Sequence, residues 1–90
     1  MTRPLDPLDG NAIAGVLFDV FGAEMTTATT VCAGCGATAL LAEVAVYVKA
    51  PGTVARCRRC EAVLMVLVGN REVTCVDLRG LARLELRKPL

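Results

Sequence analysis

The chain is 90 residues long, 54% hydrophobic, only 3% aromatic, and without tryptophan or histidine, so it has room for one small domain with an aliphatic core. Ten Lys and Arg against nine Asp and Glu leave a formal charge of +1, unlike the strongly basic domains that ride on phosphate backbones. Lacking histidine, it also lacks the commonest general base and catalytic metal ligand.

Residues 1–8 read as a flexible arm, since Pro4 and Pro7 block helix there. The acidic, proline-broken start is unlike a secretory leader. Residues 9–90 then form a single domain. Asp9 is placed as the N-cap of a helix over about 10–22. Ile13, Val16, Leu17, Val20 and Phe21 recur at helical spacing and define one apolar stripe, which Ala14, Phe18 and Ala23 widen. Gly22 ends the helix in a left-handed turn, and Gly15 is expected to permit close packing.

Thr26 to Val31 predicts a strand, followed by Cys32-Ala33-Gly34-Cys35. From Leu40 to Lys49 the pattern alternates, Val44, Val46 and Val48 on one face and Glu43, Ala45, Tyr47 and Lys49 on the other. Pro51-Gly52 marks a type II turn, and Thr53 to Arg56 return to Cys57-Arg58-Arg59-Cys60. Ala62 to Val68, apolar at every position, reads as the central and most buried strand. Gly69-Asn70 turns the chain into a strand over Glu72 to Leu78. Ala82, Leu84 and Leu86 then alternate with Arg83, Glu85 and Arg87 in a charged edge strand.

The two Cys-x-x-Cys pairs carry the chemistry. Two residues between thiols is the spacing at which a tight turn aims both sulfurs at one ion, and two such turns complete a tetrahedral set. Cys32, Cys35, Cys57 and Cys60 are therefore expected to bind one structural Zn²⁺, which takes the charge of the loaded chain to about −1. The 21 residues between the pairs slightly exceed the usual span of about 15–20. Iron in a rubredoxin-like site is the nearest rival, but two Phe and one Tyr offer little aromatic wrapping; an iron–sulfur cluster fits paired knuckles less well. Four thiolates close the coordination shell, and no nucleophile elbow, phosphate loop or paired-carboxylate motif is present. An enzyme is not expected.

Arg56, Arg58 and Arg59 around the second pair are candidates for nucleic-acid contact. The competing reading is that they offset the negative thiolate site or form a solvated loop tip. Tyr47, the single tyrosine, is thin provision for base stacking. Ile13, Leu17 and Phe21 are core residues or, if the helix docks outward, partner-binding ones. Cys75, in a strand, is expected to act as a small buried hydrophobe. Reduced thiols and the absence of a long apolar run place the chain in the cytoplasm, without membrane contact. Eight Arg against two Lys, beside much Ala, Val and Gly, suggest a GC-rich bacterial genome.

Leu8 to Gly15, Cys32 to Ala37, Ala55 to Cys60 and Val76 to Leu81 together resemble a small zinc-ribbon family of actinobacterial proteins that carries no established activity. The resemblance covers nearly the whole chain. It implies a fold and a metal, and, because such proteins are encoded near oxidoreductases, an accessory-subunit role beside a redox enzyme.

The expected architecture is α+β: an N-terminal amphipathic helix, then an antiparallel zinc-ribbon sheet of about five strands. The expected function is a non-enzymatic adaptor that binds another protein or itself. The alternative is a nucleic-acid-associated zinc ribbon in transcription or translation.

Overall fold

The computed structural model describes residues 7–49 and 52–86. Asp9 caps the first turn as its side chain accepts from the Asn11 amide at 3.0 Å, but that turn, Gly10–Ile13, is a 3₁₀ helix. It passes into α1, Ala14–Phe21, which ends at Gly22 with φ of 72°. Among the described residues seven strands follow: β1 Thr29–Cys32, β2 Thr38–Leu40, β3 Ala45–Lys49, β4 Gly52–Arg56, β5 Val63–Gly69, β6 Thr74–Asp77 and β7 Leu81–Glu85. The class is α+β.

The strands do not form one sheet of about five. They form two antiparallel sheets, of order β2-β1-β7 and β3-β4-β5-β6. The expected strand from Leu40 to Lys49 is interrupted because Leu41–Glu43 forms a 3₁₀ turn, whose Glu43 carboxylate accepts the Leu40 amide at 2.8 Å. That turn moves the chain from one sheet to the other. It also breaks the alternation: Val44, Ala45 and Val46 are all buried, while Val48 is exposed.

The core lies between the sheets and under the helix, built of Ile13, Leu17, Met25, Leu41, Val46, Leu64, Met65 and Leu67 with smaller neighbours. Ile13 and Leu17 are 3% and 0% exposed, so they are not a partner-binding surface; Phe21 is half-buried against the same core. The side of the helix turned to solvent carries Val16 and Phe18. Within α1, Val16 lies about 100° around the axis from Leu17, off the line of Ile13, Leu17 and Phe21 that faces the core. Gly15 has no close neighbour, so packing does not require it.

β5 is an inner strand, as its apolar run predicts, but only one of its faces is closed. Leu64, Met65 and Leu67 are buried; Val63 and Val68 are exposed. β7 is an edge strand, with Leu84 half-buried and Arg83 and Glu85 outward. Cys75 is exposed, not buried, because β6 is the other edge of its sheet and turns this residue outward. The turn expected at Pro51-Gly52 involves residues 50–51, outside those described; Gly52 itself pairs with Lys49. Of the arm, only its end is described, and there Leu8 forms a bridge with Val46. Among the described residues no helix is long and apolar enough to cross a membrane.

Candidate metal centre

Each Cys-x-x-Cys pair is the turn of a hairpin, and the two hairpins belong to different sheets. Cys32 ends β1 and its pair leads into β2; Cys57 follows β4 and its pair leads into β5. The two turns share one hydrogen-bond scheme. In the first, the Cys32 amide donates to the Ala37 carbonyl and the Gly36 amide returns to the Cys32 carbonyl, both at 2.9 Å. In the second, the Cys57 amide donates to the Ala62 carbonyl at 2.9 Å and the Glu61 amide to the Cys57 carbonyl at 2.8 Å. The residue four positions beyond the first cysteine is left-handed in both, Gly36 at φ 76° and Glu61 at φ 65°. Glycine adopts this without cost, whereas a side chain there is strained by about 1–2 kcal/mol.

The two turns face one another. Cys32 Sγ lies 3.6 Å from Cys60 Sγ, and Cys35 Sγ lies 3.7 Å from Cys57 Sγ. All four sulfurs fall within 4.8 Å of one another. These separations are far beyond the ~2.05 Å of a disulfide, and the five cysteines are free. They match the edge of a tetrahedron of sulfurs around one ion, about 3.8 Å for metal–sulfur bonds of ~2.3 Å. A polynuclear iron–sulfur cluster distributes its thiolates over different irons and spreads them farther apart. The four cysteines can thus hold a metal ion, with the first of each pair buried and Cys60 at the surface.

The surrounding amides prepare the sulfurs for charge. The Gly34 amide points to Cys32 Sγ at 3.3 Å. Cys57 is drawn from its ordinary 9.0 to about 7, chiefly by the Cys60 amide, with burial opposing. Cys32 moves the same way, led by the Cys35 amide and again opposed by burial. Cys60 is pushed up to about 11: the Ala62 amide pulls it down, but burial and the proximity of the other three cysteines together outweigh that. Four sulfurs this close cannot all ionise unaided, and a cation at their centre removes that conflict.

The arginines near the second turn are engaged with backbone carbonyls. Arg56 Nη1 donates to the Glu61 carbonyl at 2.9 Å and so braces the strained left-handed residue. Arg58 Nε donates to the Glu43 carbonyl at 2.6 Å, and its Nη2 to the Leu8 carbonyl at 3.4 Å. Arg59 is exposed. Neither Arg56 nor Arg58 is thereby placed on a sulfur. Sequence reasoning missed two further features. Aligning the two turns residue by residue shows Glu61 where Gly36 stands, so that strain was detectable. The second is Gly80, which has no local signal. Its carbonyl accepts from Ala33 of the first turn at 2.9 Å, and its amide donates to the Leu64 carbonyl beyond the second at 3.2 Å.

The fold and site define a small α+β protein with two cysteine turns, one from each sheet, arranged to share a metal ion. The chain belongs to a family of unknown function (DUF6510), whose model matches residues 2–89. No curated protein and no solved structure matches it.

Proposed function

We propose that Cys32, Cys35, Cys57 and Cys60 hold one structural zinc ion in a zinc-ribbon-like arrangement, and that the chain is a non-enzymatic cytoplasmic adaptor or accessory subunit. The observation that carries the metal reading is the pair of sulfur separations across the turns, 3.6 and 3.7 Å, which suit a single tetrahedral ion. Zinc is favoured over iron because two Phe and one Tyr offer little aromatic wrapping and because four thiolates give d¹⁰ zinc a closed shell. A closed shell leaves no corner for water or substrate, so the ion's work is architectural. It fastens the three-stranded sheet to the four-stranded one.

The adaptor reading is supported by what the core leaves outside. Tyr47, Val48, Val63, Val68 and Val73 stay exposed on or beside the larger sheet, and Val16 and Phe18 on the helix. Apolar surface of this kind suits association with another protein or a second copy. The nucleic-acid alternative has less behind it, since Arg56 and Arg58 already have carbonyl partners.

Elemental analysis of the purified protein, with circular dichroism during chelation, tests the metal reading. One zinc per chain and a partial loss of β-sheet signal on its removal, from the strands that flank the two turns, are expected. An unchanged spectrum after complete metal removal, or iron in place of zinc, would refute it. Association that survives high salt supports the adaptor; association abolished by salt in the presence of nucleic acid favours the alternative.

A further inference from the structure

The edge of the larger sheet is capped by a residue from the far end of the sequence. β3 is an edge strand, and its Val46 exchanges two hydrogen bonds with Leu8, Leu8 N to Val46 O at 2.9 Å and Val46 N to Leu8 O at 2.8 Å. A two-bond bridge on an exposed edge is weak by itself. The Leu8 carbonyl, however, also accepts from Arg58 Nη2. Arg58 is the residue directly after the metal-site Cys57, and its Nε is fixed on the Glu43 carbonyl in the turn that leads into β3. One guanidinium therefore joins the second cysteine turn, the entrance to β3 and the strap that covers β3.

We infer that Arg58 is a metal-positioned clasp: metal occupancy of the cysteine turns sets the place of Arg58, and Arg58 holds Leu8 over the edge of β3. The inference rests on the metal reading above and extends it to regulation. With the ion bound, the second turn is rigid and the clasp is pre-organised to span both carbonyls. Without the ion, only weak sulfur–sulfur contacts hold Cys57 and Cys60, the backbone beneath Arg58 loosens, and Leu8 is left with its unsupported bridge. Release of Leu8 bares the outward amide and carbonyl of Val46. Because alternate residues of an edge strand point the same way, this joins them to those of Val48 as a row open to another extended strand. The ion would thus govern whether the sheet can be extended at this edge.

Amide hydrogen exchange followed by NMR reads the clasp at its two ends, the Leu8 and Val46 amides. Three samples are compared: zinc-loaded wild type, wild type after chelation, and zinc-loaded Arg58→Gln with its metal content measured. In Arg58→Gln with a full complement of zinc, both amides are expected to exchange about tenfold faster, while those of the β4–β5 ladder stay unchanged. Chelated wild type should show at least the same acceleration at Leu8 and Val46 with the β5–β6 ladder still protected. Acceleration throughout the sheet would mean general unfolding and overturn control through the clasp. Arg58→Lys, which keeps the charge but cannot span two carbonyls, should resemble Arg58→Gln. Unchanged protection at both amides in zinc-loaded Arg58→Gln would overturn the clasp. Unchanged protection after chelation would overturn its control by metal. A wild type that takes up no zinc refutes the metal reading, and with it that control; the exchange difference between wild type and Arg58→Gln then still decides the contact between Arg58 and Leu8.

Discussion

The two cysteine turns are near-copies in hydrogen bonding and unequal in composition. The first places Gly36 at its left-handed position, and the second places Glu61 there. The first costs little to form; the second needs Arg56 on the Glu61 carbonyl to hold its shape. The second turn also bears the longer reach, because Arg58 leaves it for Glu43 and Leu8. A turn that relaxes readily when its ion leaves is the better place from which to transmit that loss. On the proposed clasp, the first turn is the anchor and the second the responsive half.

The largest effect tests whether the two halves depend on one ion. Replacing Cys32 or Cys60 with Ser should abolish stoichiometric zinc binding and unfold both turns together, seen as loss of the Gly36 and Glu61 amide protection. Zinc binding to structural sites is worth about 10 kcal/mol or more, which exceeds the net stability of many small domains. A variant in which only the mutated turn opens would break the comparison.

Acid should do the same reversibly. The ion requires four thiolates, so protons compete with it, and well below about pH 7 the apparent affinity should fall by up to ~10⁴ per unit. In the metal-free chain the sign divides by residue. Cys57, lowered to about 7, contributes stability that is present above its ordinary 9.0 and lost as the pH falls through 7. Cys60, raised to about 11, acts oppositely, its contribution being present below 9.0 and lost as the pH rises toward 11. Metal release and unfolding monitored between pH 9 and pH 4 check the acid side, and a zinc affinity independent of pH would contradict it.

Gly80 joins the halves without metal. A Cβ there would stand 1.8 Å from the Val63 carbonyl oxygen and 2.6 Å from Leu64 Cα, both backbone atoms that cannot step aside. Gly80→Ala should cost about 3 kcal/mol in denaturant unfolding and weaken zinc binding by displacing one turn against the other. The smallest effects sharpen the inequality itself. Gly36→Ala should destabilise by about 1–2 kcal/mol, whereas Glu61→Gly should stabilise by about 0.5–1 kcal/mol. Matched changes of the same sign would show that the turns are energetically alike after all.

Local features were legible in the chain. Asp9 and Gly22 bound the helical segment as their chemistry predicts, and the Asn70 side chain accepts the Glu72 and Val73 amides in the expected turn. Misreadings arose where two patterns overlapped. Residues 40–49 alternate well enough for one strand, but Glu43 folds back on the Leu40 amide and diverts the chain between sheets. The helical stripe named the right residues in Ile13 and Leu17 and the wrong one in Val16, since a stripe read at i, i+3 and i+4 is wider than the face this short helix buries. Cys75 was misplaced because an apolar strand does not announce whether it lies at the middle or the edge of its sheet.

The sequence by itself determined the four sulfurs and the shape of each turn, because two-residue spacing and the hydrogen bonds around it involve only neighbours in the chain. Only the tertiary structure decided that the turns come from different sheets, that Gly80 links them, and that Arg58 reaches back fifty positions to Leu8. Those contacts depend on which strand edges meet, a competition among distant segments that no local pattern records.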